Sequence, residues 1–401
     1  MTIHTTQLRI TDAEYRTRCD ALRGYLHEQK LTGVVLFDAD YIRYYTGFHF
    51  IPTERPMAFA MSAASGERAL FVPRLELEHA KANALIERVD HYLEYPGDPH
   101  PMVGLAKMIK EMGVTGSAGV DSDGYPWVFG YRGAALSEAA GVSVRNVRAF
   151  VEDQMAIKSE AELNLLRESV RWANMAHVLL QRYTVVGASE TQVSERASRE
   201  ATQAMLDALG PIYRNQSPYY DGAVAGYRGQ IGRNAAIPHA LAANITFQPG
   251  DVLVTGASAP VWGYVCELER TMVMGKASDE QKFFFDHMVG LQDTAIAAMQ
   301  PGVPCSEVDK AVRAYFSKHD LMPYWKHHSG HTIGLRYHEG PFLDTGDHTP
   351  MQPGMVFTVE PGLYKAGVGG FRHSDTVAIT EDGTEIMTYY PRDLESLTLP
   401  V

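Results

Sequence analysis

Two patterns of apolar and polar positions follow one another along this chain, and the change between them falls near residue 152. In the first part, short apolar runs alternate with stretches whose apolar residues recur at helical spacing. The runs predict strands and the periodic stretches predict helices, the first of which Thr11 or Asp12 can cap. The strands are predicted at residues 33–37, 58–62 and 69–73, and the helices at residues 11–30 and around 41–45. Strands that alternate with helices indicate an α/β domain over residues 1–152.

The second part carries longer helical patterns with strand-like runs between them. Ser159, followed three residues later by Glu162, is typical of a capping box at the start of the first long helix. The helices are predicted at residues 159–183, 189–209, 279–299 and 305–319, and the strands at residues 252–254, 271–274, 355–359 and 376–380. Long helices beside an antiparallel sheet predict an α+β domain over residues 153–401.

The composition is that of an ordinary globular protein, and it argues against some partners. Of the 401 residues, 45% are hydrophobic and 21% are charged, and the length favours two domains. The net charge of −12 argues against a nucleic-acid partner and against an anionic membrane, since both need a basic face. No apolar stretch reaches the roughly 18 residues that a membrane span needs.

The cysteine content and the first residues point to a reducing compartment. The three cysteines, Cys19, Cys266 and Cys305, are too few and too scattered for a disulfide framework or a thiolate zinc site. The chain begins Met1-Thr2-Ile3-His4, without a basic stretch that leads into an apolar run. We therefore expect a cytoplasmic protein.

Three glutamates are candidate site residues. Glu267 and Glu269 lie two positions apart, and on a strand they would point to the same face. Two carboxylates on one face repel each other, which is typical of a site that grips a cation or holds a proton. An edge strand that faces water would also accept them, although the flanking residues are apolar. Glu360 follows the apolar run 355–359, and a carboxylate at the end of a buried strand is costly unless it is paired.

Histidines are further candidates. His239 follows Pro238 on an otherwise apolar stretch, and histidine is the side chain best suited to giving and taking a proton at neutral pH. By itself, such a residue is more often a hydrogen-bonded histidine of the core. A second group comprises His327, His328, His331 and His338. Their number alone is weak evidence for a metal, because metal ligands must converge in fixed positions.

Five motifs in the second part resemble those of the creatinase/aminopeptidase P/prolidase superfamily, whose catalytic domain has the pita-bread fold. The motifs are Gly250-Asp251, Gly263-Tyr264 leading to Arg270-Thr271, Gly330-His331-Thr332-Ile333-Gly334, Val359-Glu360-Pro361-Gly362 and Gly370-Phe371-Arg372-His373-Ser374-Asp375. The similarity extends over essentially the whole chain. It implies a pita-bread catalytic domain at residues 153–401 and a creatinase/prolidase-like α/β domain at residues 1–152.

The resemblance also implies a change at the metal positions. In that superfamily two aspartates, one histidine and two glutamates hold a pair of divalent ions. The corresponding positions of this chain are Gly256, Glu267, His331, Glu360 and Ser374. Glycine has no side chain to coordinate with, and a serine hydroxyl is a poor replacement for a bridging carboxylate. We therefore expect no metal and no other cofactor.

Within the superfamily, the chain resembles the metal-free creatinase branch, which hydrolyses creatine to sarcosine and urea. The resemblance implies that His239 is the general acid–base and that Glu269 and Glu360 hold the substrate cation. It also implies that Arg55 of one subunit grips the substrate carboxylate in the partner's site, and hence that the protein is a homodimer acting on a small molecule.

The chain departs from creatinase at three positions of the expected pocket. The second carboxylate-binding arginine of creatinase falls on Phe342, a histidine falls on Ser374 and an alanine falls on Glu267. The pocket is therefore expected to be more acidic and to lack one carboxylate anchor. The candidates to replace this anchor are Arg228, Arg336 and Arg372. The expected substrate-binding residues besides Arg55 are His331, Phe342, Tyr264 and Ser374.

Three hypotheses follow for the function. The leading one is a metal-independent hydrolase that cleaves a C–N bond of a small guanidine, amidine or zwitterionic compound. In it His239 moves the proton, while Glu267, Glu269 and Glu360 orient the substrate cation and the attacking water. The second is a metallopeptidase of the Xaa-Pro aminopeptidase or dipeptidase kind, or a lyase, with one ion on Glu267, His331 and Glu360. The third is a non-catalytic binding protein, against which the retained polar residues argue.

Overall fold

The computed structural model describes residues 8–401, which form two compact units. One unit comprises residues 10–155, and the other comprises residues 156–401 with residues 8 and 9. The boundary expected after residue 152 lies inside the helix Arg148–Ala156. The first four residues, from which the absence of a leader was inferred, lie outside the described residues.

The first unit is an α/β layer built on one six-stranded sheet. Its helices are α1 (Asp12–Glu28), α2 (Ala39–Thr46), α3 (Leu77–Asn83), α4 (Pro101–Glu111), α5 (Leu136–Ala140) and α6 (Arg148–Ala156). Its strands are β1 (Gly33–Leu36), β2 (Ala58–Ser62), β3 (Arg68–Pro73), β4 (Arg88–Tyr92), β5 (Ser117–Val120) and β6 (Ser143–Asn146). They lie in the order β4-β3-β2-β1-β5-β6 with mixed parallel and antiparallel pairing. All residues of β1 are buried, which explains its unbroken apolar run.

The second unit combines long helices with mainly antiparallel strands. Its helices are α7 (Glu160–Tyr183), α8 (Glu190–Leu209), α9 (Asp279–Ala298) and α10 (Cys305–Lys318). Its strands are β7 (Val224–Gly226), β8 (Val252–Val254), β9 (Gly256–Ser258), β10 (Thr271–Met274), β11 (His331–Thr332), β12 (Glu339–Phe342), β13 (Val356–Val359), β14 (Gly362–Lys365), β15 (Gly369–Arg372), β16 (Asp375–Thr380), β17 (Gly383–Ile386) and β18 (Thr398–Leu399). The largest sheet has the order β12-β11-β13-β16-β17, and a second has the order β18-β10-β8.

Local signals in the sequence account for the helix ends. The side chains of Ser159, Ser189 and Ser278 cap α7, α8 and α9, each as part of a reciprocal capping box. Thr11 caps α1, since its Oγ1 accepts the backbone N–H of Glu14 at 3.2 Å. The predicted fold class, an α/β domain followed by an α+β domain, is confirmed.

The buried side chain of Arg270 fixes the strand segment that carries Glu267 and Glu269. Its guanidinium donates to Asp375 Oδ1 at 2.7 Å, to the Ser374 carbonyl at 3.0 Å and to the Glu269 carbonyl at 2.7 Å. A direct backbone pairing between Glu269 and Ser374 joins the same two segments. Because Arg270 is fully buried and its charge is paired, this region has little freedom to move.

None of the helices among residues 8–401 combines the length and the apolar composition that crossing a membrane requires.

Candidate active site

A cavity of about 360 Å³ opens in the second unit where several of these segments meet. Residues from β7, β9, the segment before β10 and the loop before β12 form its walls. Its polar and tyrosine lining residues include Tyr220, Arg228, Ser258, Glu267, Glu269, Tyr337 and His338. Gly256, one of the five positions that correspond to metal ligands in the superfamily, also lies in its wall. The cavity has the size of a small-molecule site.

Glu267, His331 and Glu360 converge beside this cavity. Each offers one ligand atom, and these atoms all lie within 4.8 Å of one another. The Nδ1 of His331 donates to the Thr332 carbonyl at 3.0 Å, so the Nε2 atom faces the carboxylates. Nε2 lies 3.3 Å from Glu360 Oε1 without the alignment of a hydrogen bond. It is buried and has no hydrogen-bond partner among the described residues.

The three groups shift one another's protonation. Burial raises the pKa of Glu267 to about 8, and the charges of Glu360 and Glu269 act in the same direction. Burial alone would raise the pKa of Glu360 and lower that of His331. Their mutual contact dominates instead, lowering the pKa of Glu360 well below its usual range and raising that of His331 to about 9. The two carboxylates therefore favour a positive charge between them.

Glu269 also lines the cavity and is held by two arginines. Its side chain is 3% exposed. Its Oε1 accepts from Arg372 Nη2 and from Arg228 Nη2, each at 2.8 Å, while Arg372 Nε donates to Oε2. A Cβ atom built on Gly256 would lie 3.7 Å from Glu269 Oε1, so the glycine opens space toward this carboxylate.

Ser374 and Glu267 form a direct hydrogen bond across the cluster. The Oγ of Ser374 is fully buried and donates to Glu267 Oε1 at 2.7 Å. Glu267 and Glu269 both line the cavity, as two carboxylates on one strand face would. Four of the expected site residues thus lie in or beside the cavity together with Glu269.

Other expected site residues lie elsewhere. His239 is exposed, in the turn after Pro238, and is outside the cavity lining. The hydroxyl of Tyr264 donates to Glu162 Oε1 at 2.6 Å inside the core, so this tyrosine supports α7 rather than facing the cavity. Phe342 is 38% exposed and pairs with His331 across β11 and β12, outside the cavity lining.

Arg55 belongs to the first unit. Its Nε donates to Glu94 Oε1 at 2.7 Å and its Nη1 to Glu54 Oε1 at 2.6 Å. The predicted contact of Arg55 with a partner's site, and the homodimer it implies, stay predictions.

His338 and Arg228 line the cavity, whereas the sequence named them only within a group of histidines and among three arginines that could replace a carboxylate anchor. The ring of His338 stacks on that of His331, with ring centroids 3.9 Å apart. Burial and the neighbouring charges of His331, His328 and His239 lower the pKa of His338, although Glu360 opposes them. The His-Glu-Gly-Pro run at residues 338–341, at the far end of a histidine-rich loop, was the sequence signal that could have identified it.

Comparisons with known proteins place this geometry in a family. Residues 164–381 match the model of metallopeptidase family M24, and residues 18–154 match the creatinase/prolidase N-terminal domain. An Xaa-Pro dipeptidase of Pyrococcus horikoshii is 27% identical over 350 residues, covering 86% of this chain and 91% of that protein. An Xaa-Pro dipeptidase of Lactobacillus delbrueckii is 27% identical over 387 residues, covering 94% and 98%.

Solved structures show the same fold. The dipeptidase PepE of Mycobacterium ulcerans superposes with a TM-score of 0.81 at 25% identity, over 98% of this chain and all of that chain (100%). The prolidase of Pyrococcus horikoshii superposes with a TM-score of 0.78 at 23% identity, over 94% and 99%. The pita-bread fold expected for the second domain is confirmed.

These findings correct the leading functional hypothesis. The creatinase-like amidinohydrolase, acting on a non-peptide C–N bond, is contradicted because several relatives that match most of the chain, among them the two above, are named Xaa-Pro dipeptidases. A metal-free creatinase branch is likewise not supported. The expectation of that branch rested on a few single positions, such as Glu269 and Gly256. The comparisons, in contrast, extend over most of the chain. Membership of the superfamily and a hydrolase activity are supported.

Proposed function

Because this chain belongs to metallopeptidase family M24, we propose that it hydrolyses the amide bond of a small dipeptide of the Xaa-Pro kind. The observation that carries the proposal is the convergence of Glu267, His331 and Glu360 beside a cavity of about 360 Å³. The names of the relatives supply the substrate class. The cavity volume suits a dipeptide better than a long peptide segment.

The residues of the site suit one divalent ion and do not suit two. Gly256 offers no ligand, and the hydroxyl of Ser374 is neutral and already bonded to Glu267. Two carboxylates and an imidazole remain, which is a common set for one catalytic ion with an open position. The buried Nε2 of His331, with no hydrogen-bond partner among the described residues, supports this assignment. When bound, such an ion would activate a water molecule and polarise the amide carbonyl.

The chain's own groups supply proton transfer in this proposal. His338 lines the cavity beside His331 and is placed to exchange a proton with the reacting amide. We assign to His239, which is exposed and outside the cavity lining, the exchange of that proton with solvent. Thus His239 keeps a role in proton transfer, one step removed from the reacting bond.

The test is hydrolysis of dipeptides by the full-length protein. The protein is stripped with a chelator, dosed separately with Mn²⁺, Co²⁺ and Zn²⁺, and assayed for proline released from Ala-Pro, with Ala-Ala as the comparison. We expect the rate of proline release to rise with added metal and to reach its maximum at about one bound ion per chain. The bound metal is measured by elemental analysis. If folded protein releases no proline with any of the three ions, the proposal is wrong, and the non-catalytic alternative gains support.

A further inference from the structure

Two guanidinium groups share the single carboxylate of Glu269. Arg372 and Arg228 both donate to its Oε1 at 2.8 Å, from the buried interior and from the cavity respectively. The carboxylate of Glu360 also lies near Arg372, with its Oε2 3.7 Å from Arg372 Nε, so Arg372 is balanced by two buried carboxylates. The positive charge that faces the cavity is therefore that of Arg228, and it favours an anionic group of a ligand.

The guanidinium of Arg372 uses four of its five N–H groups within the protein, and its Nε also lies 3.7 Å from Glu360 Oε2. Its Nε and Nη2 both donate to Glu269, and its Nη1 donates to the hydroxyl of Tyr364 at 3.1 Å and toward the Pro238 carbonyl at 3.5 Å. Its side chain is only 3% exposed. Arg372 therefore holds Glu269 in place and does not face the cavity.

The guanidinium of Arg228 is different, because most of its donors face open space. Its side chain is 52% exposed and lines the cavity. Only Nη2 is engaged, with Glu269 at 2.8 Å and Gln230 at 3.3 Å. Its Nε and Nη1 atoms have no hydrogen-bond partner among the described residues. Guanidinium donors in a planar fork match a carboxylate in two-point contact.

The backbone at Arg228 adopts a strained conformation that the neighbouring loops maintain. Arg228 has φ = +51°, a left-handed conformation that is uncommon for residues other than glycine. The following residue, Gly229, donates its backbone N–H to the buried carboxylate of Glu190 at 2.8 Å. Glu190 also accepts from the backbone of Ala243 and Ile245, so it ties two loops together. Strain that the surrounding structure maintains is typical of a functional position.

We propose that Arg228 determines specificity by binding the carboxylate of the substrate at the rim of the cavity. Glu269, fixed by Arg372, orients one edge of the Arg228 guanidinium and leaves another edge for the ligand. Of the arginines considered from the sequence, Arg228 is the one that lines the cavity, whereas Arg372 is buried and outside the lining. The identity of the ligand as a dipeptide rests on the proposed function, but the recognition of a carboxylate does not.

The first experiment measures binding without turnover. N-acetyl-L-proline and N-acetyl-L-prolinamide differ only in the carboxylate, and their affinities are measured by calorimetry on the full-length protein. We expect the acid to bind at least about tenfold more tightly than the amide in the wild type. In Arg228→Gln the acid should bind about 10- to 100-fold more weakly, while the affinity of the amide should stay the same.

Two further variants separate recognition from folding. Arg228→Gly removes the guanidinium while suiting the positive φ, so it should lose the preference for the acid and stay folded. Arg233→Gln removes an exposed arginine of the neighbouring segment that is outside the cavity lining, and it should behave as the wild type.

The outcomes distinguish this inference from the proposed function. The inference is overturned if the wild type does not bind the acid, or if Arg228→Gln and Arg228→Gly keep the full preference for it. If Ala-Pro is hydrolysed but these variants still prefer the acid, the proposed function is supported and the role of Arg228 is wrong. If no dipeptide is hydrolysed but both variants lose the preference for the acid, the role of Arg228 is supported and the proposed function is wrong.

Discussion

The two sides of the cavity treat positive charge differently. On the side of Glu267, His331 and Glu360, which we call the ligand side, the ligand atoms converge within 4.8 Å and can take up a cation from solution. On the side of Glu269, which we call the arginine side, Arg228 and Arg372 supply the positive charge from the chain itself. A guanidinium cannot activate a bound water molecule as a metal ion does, but it can bind an anion.

The difference indicates which kind of ligand each side of the cavity suits. Gly256 and Ser374 add no charge to the cavity, so the residues present offer one converging set of ligand atoms. The space beside Gly256 faces the carboxylate of Glu269, and the arginines neutralise that carboxylate. The ligand side is then suited to bond cleavage, and the arginine side is suited to recognition.

The largest expected effect is on the ligand side. In Glu360→Gln the shape stays but the charge that faces His331 Nε2 at 3.3 Å is lost. We expect kcat for Ala-Pro to fall by at least about 100-fold and the bound metal to fall below one ion per chain. Both are measured on the same preparation, by proline release and by elemental analysis.

The matched control is Glu381→Gln, which neutralises an exposed glutamate at the turn between β16 and β17. It should leave both quantities unchanged. Near wild-type turnover in Glu360→Gln would mean that the two sides do not differ as described.

A large effect on stability is expected on the arginine side. Glu269→Gln leaves the buried guanidinium of Arg372 facing a neutral amide, and removing one partner of a buried ion pair costs about 3–5 kcal/mol. The free energy of unfolding is measured by urea denaturation. The comparison variant is Glu385→Gln, whose pair with Arg167 is 37% exposed on both partners and should contribute at most about 1 kcal/mol. Equal losses in the two variants would contradict a structural role for the arginine side.

A smaller effect separates His338, which lines the cavity, from the exposed His239. His338→Asn should lower kcat for Ala-Pro by about 100-fold, because His338 faces the cavity and exchanges the proton there. His239→Asn should lower it by less than about tenfold, since solvent can replace a relay. The KM and the melting temperature should change little in both variants. The reverse order of the two effects would return the main role to His239.

The sequence predicted the elements of this fold because their signals are local. Apolar spacing and the serine caps at Ser159 and Ser189 fix the long helices without knowledge of what they pack against. The alternation at Glu267 and Glu269 likewise predicted that both side chains face one way, and both line the cavity. These inferences needed only the geometry of a helix or a strand.

The contents of the cavity were harder to predict because they depend on loops and on distant partners. Arg228 enters the site through a left-handed turn that Glu190 ties down, and no periodic pattern marks such a turn. Tyr264 belongs to one of the five motifs, but its hydroxyl donates to the buried carboxylate of Glu162 in α7. Pairings between residues far apart in the chain decide which side chains face the cavity.

The smallest effect concerns the support behind the Gly256 strand. His177 is fully buried, its Nε2 lies 2.7 Å from Thr255 Oγ1, and burial with the charge of Arg270 lowers its pKa to about 3. A depressed histidine pKa means that the folded state stays neutral while the unfolded chain binds a proton below about pH 6.5. The stabilising contribution is therefore complete above pH 6.5 and is lost as the pH falls from about 6.5 toward 3, by about 1.4 kcal/mol per pH unit.

The measurement compares urea unfolding of the wild type and His177→Gln at pH 7, 6 and 5. Glutamine keeps a polar atom for Thr255 but does not titrate, so the free energy of unfolding should fall less steeply with acid in the variant. His373, whose pKa burial lowers well below its usual value, remains in both proteins and cancels in the difference. If the ligand side governs turnover, the pH dependence of kcat should differ from the pH dependence of the free energy of unfolding. Parallel slopes for the two proteins would show that His177 takes up its proton in the folded state, and that the Gly256 strand is more open to water than its burial indicates.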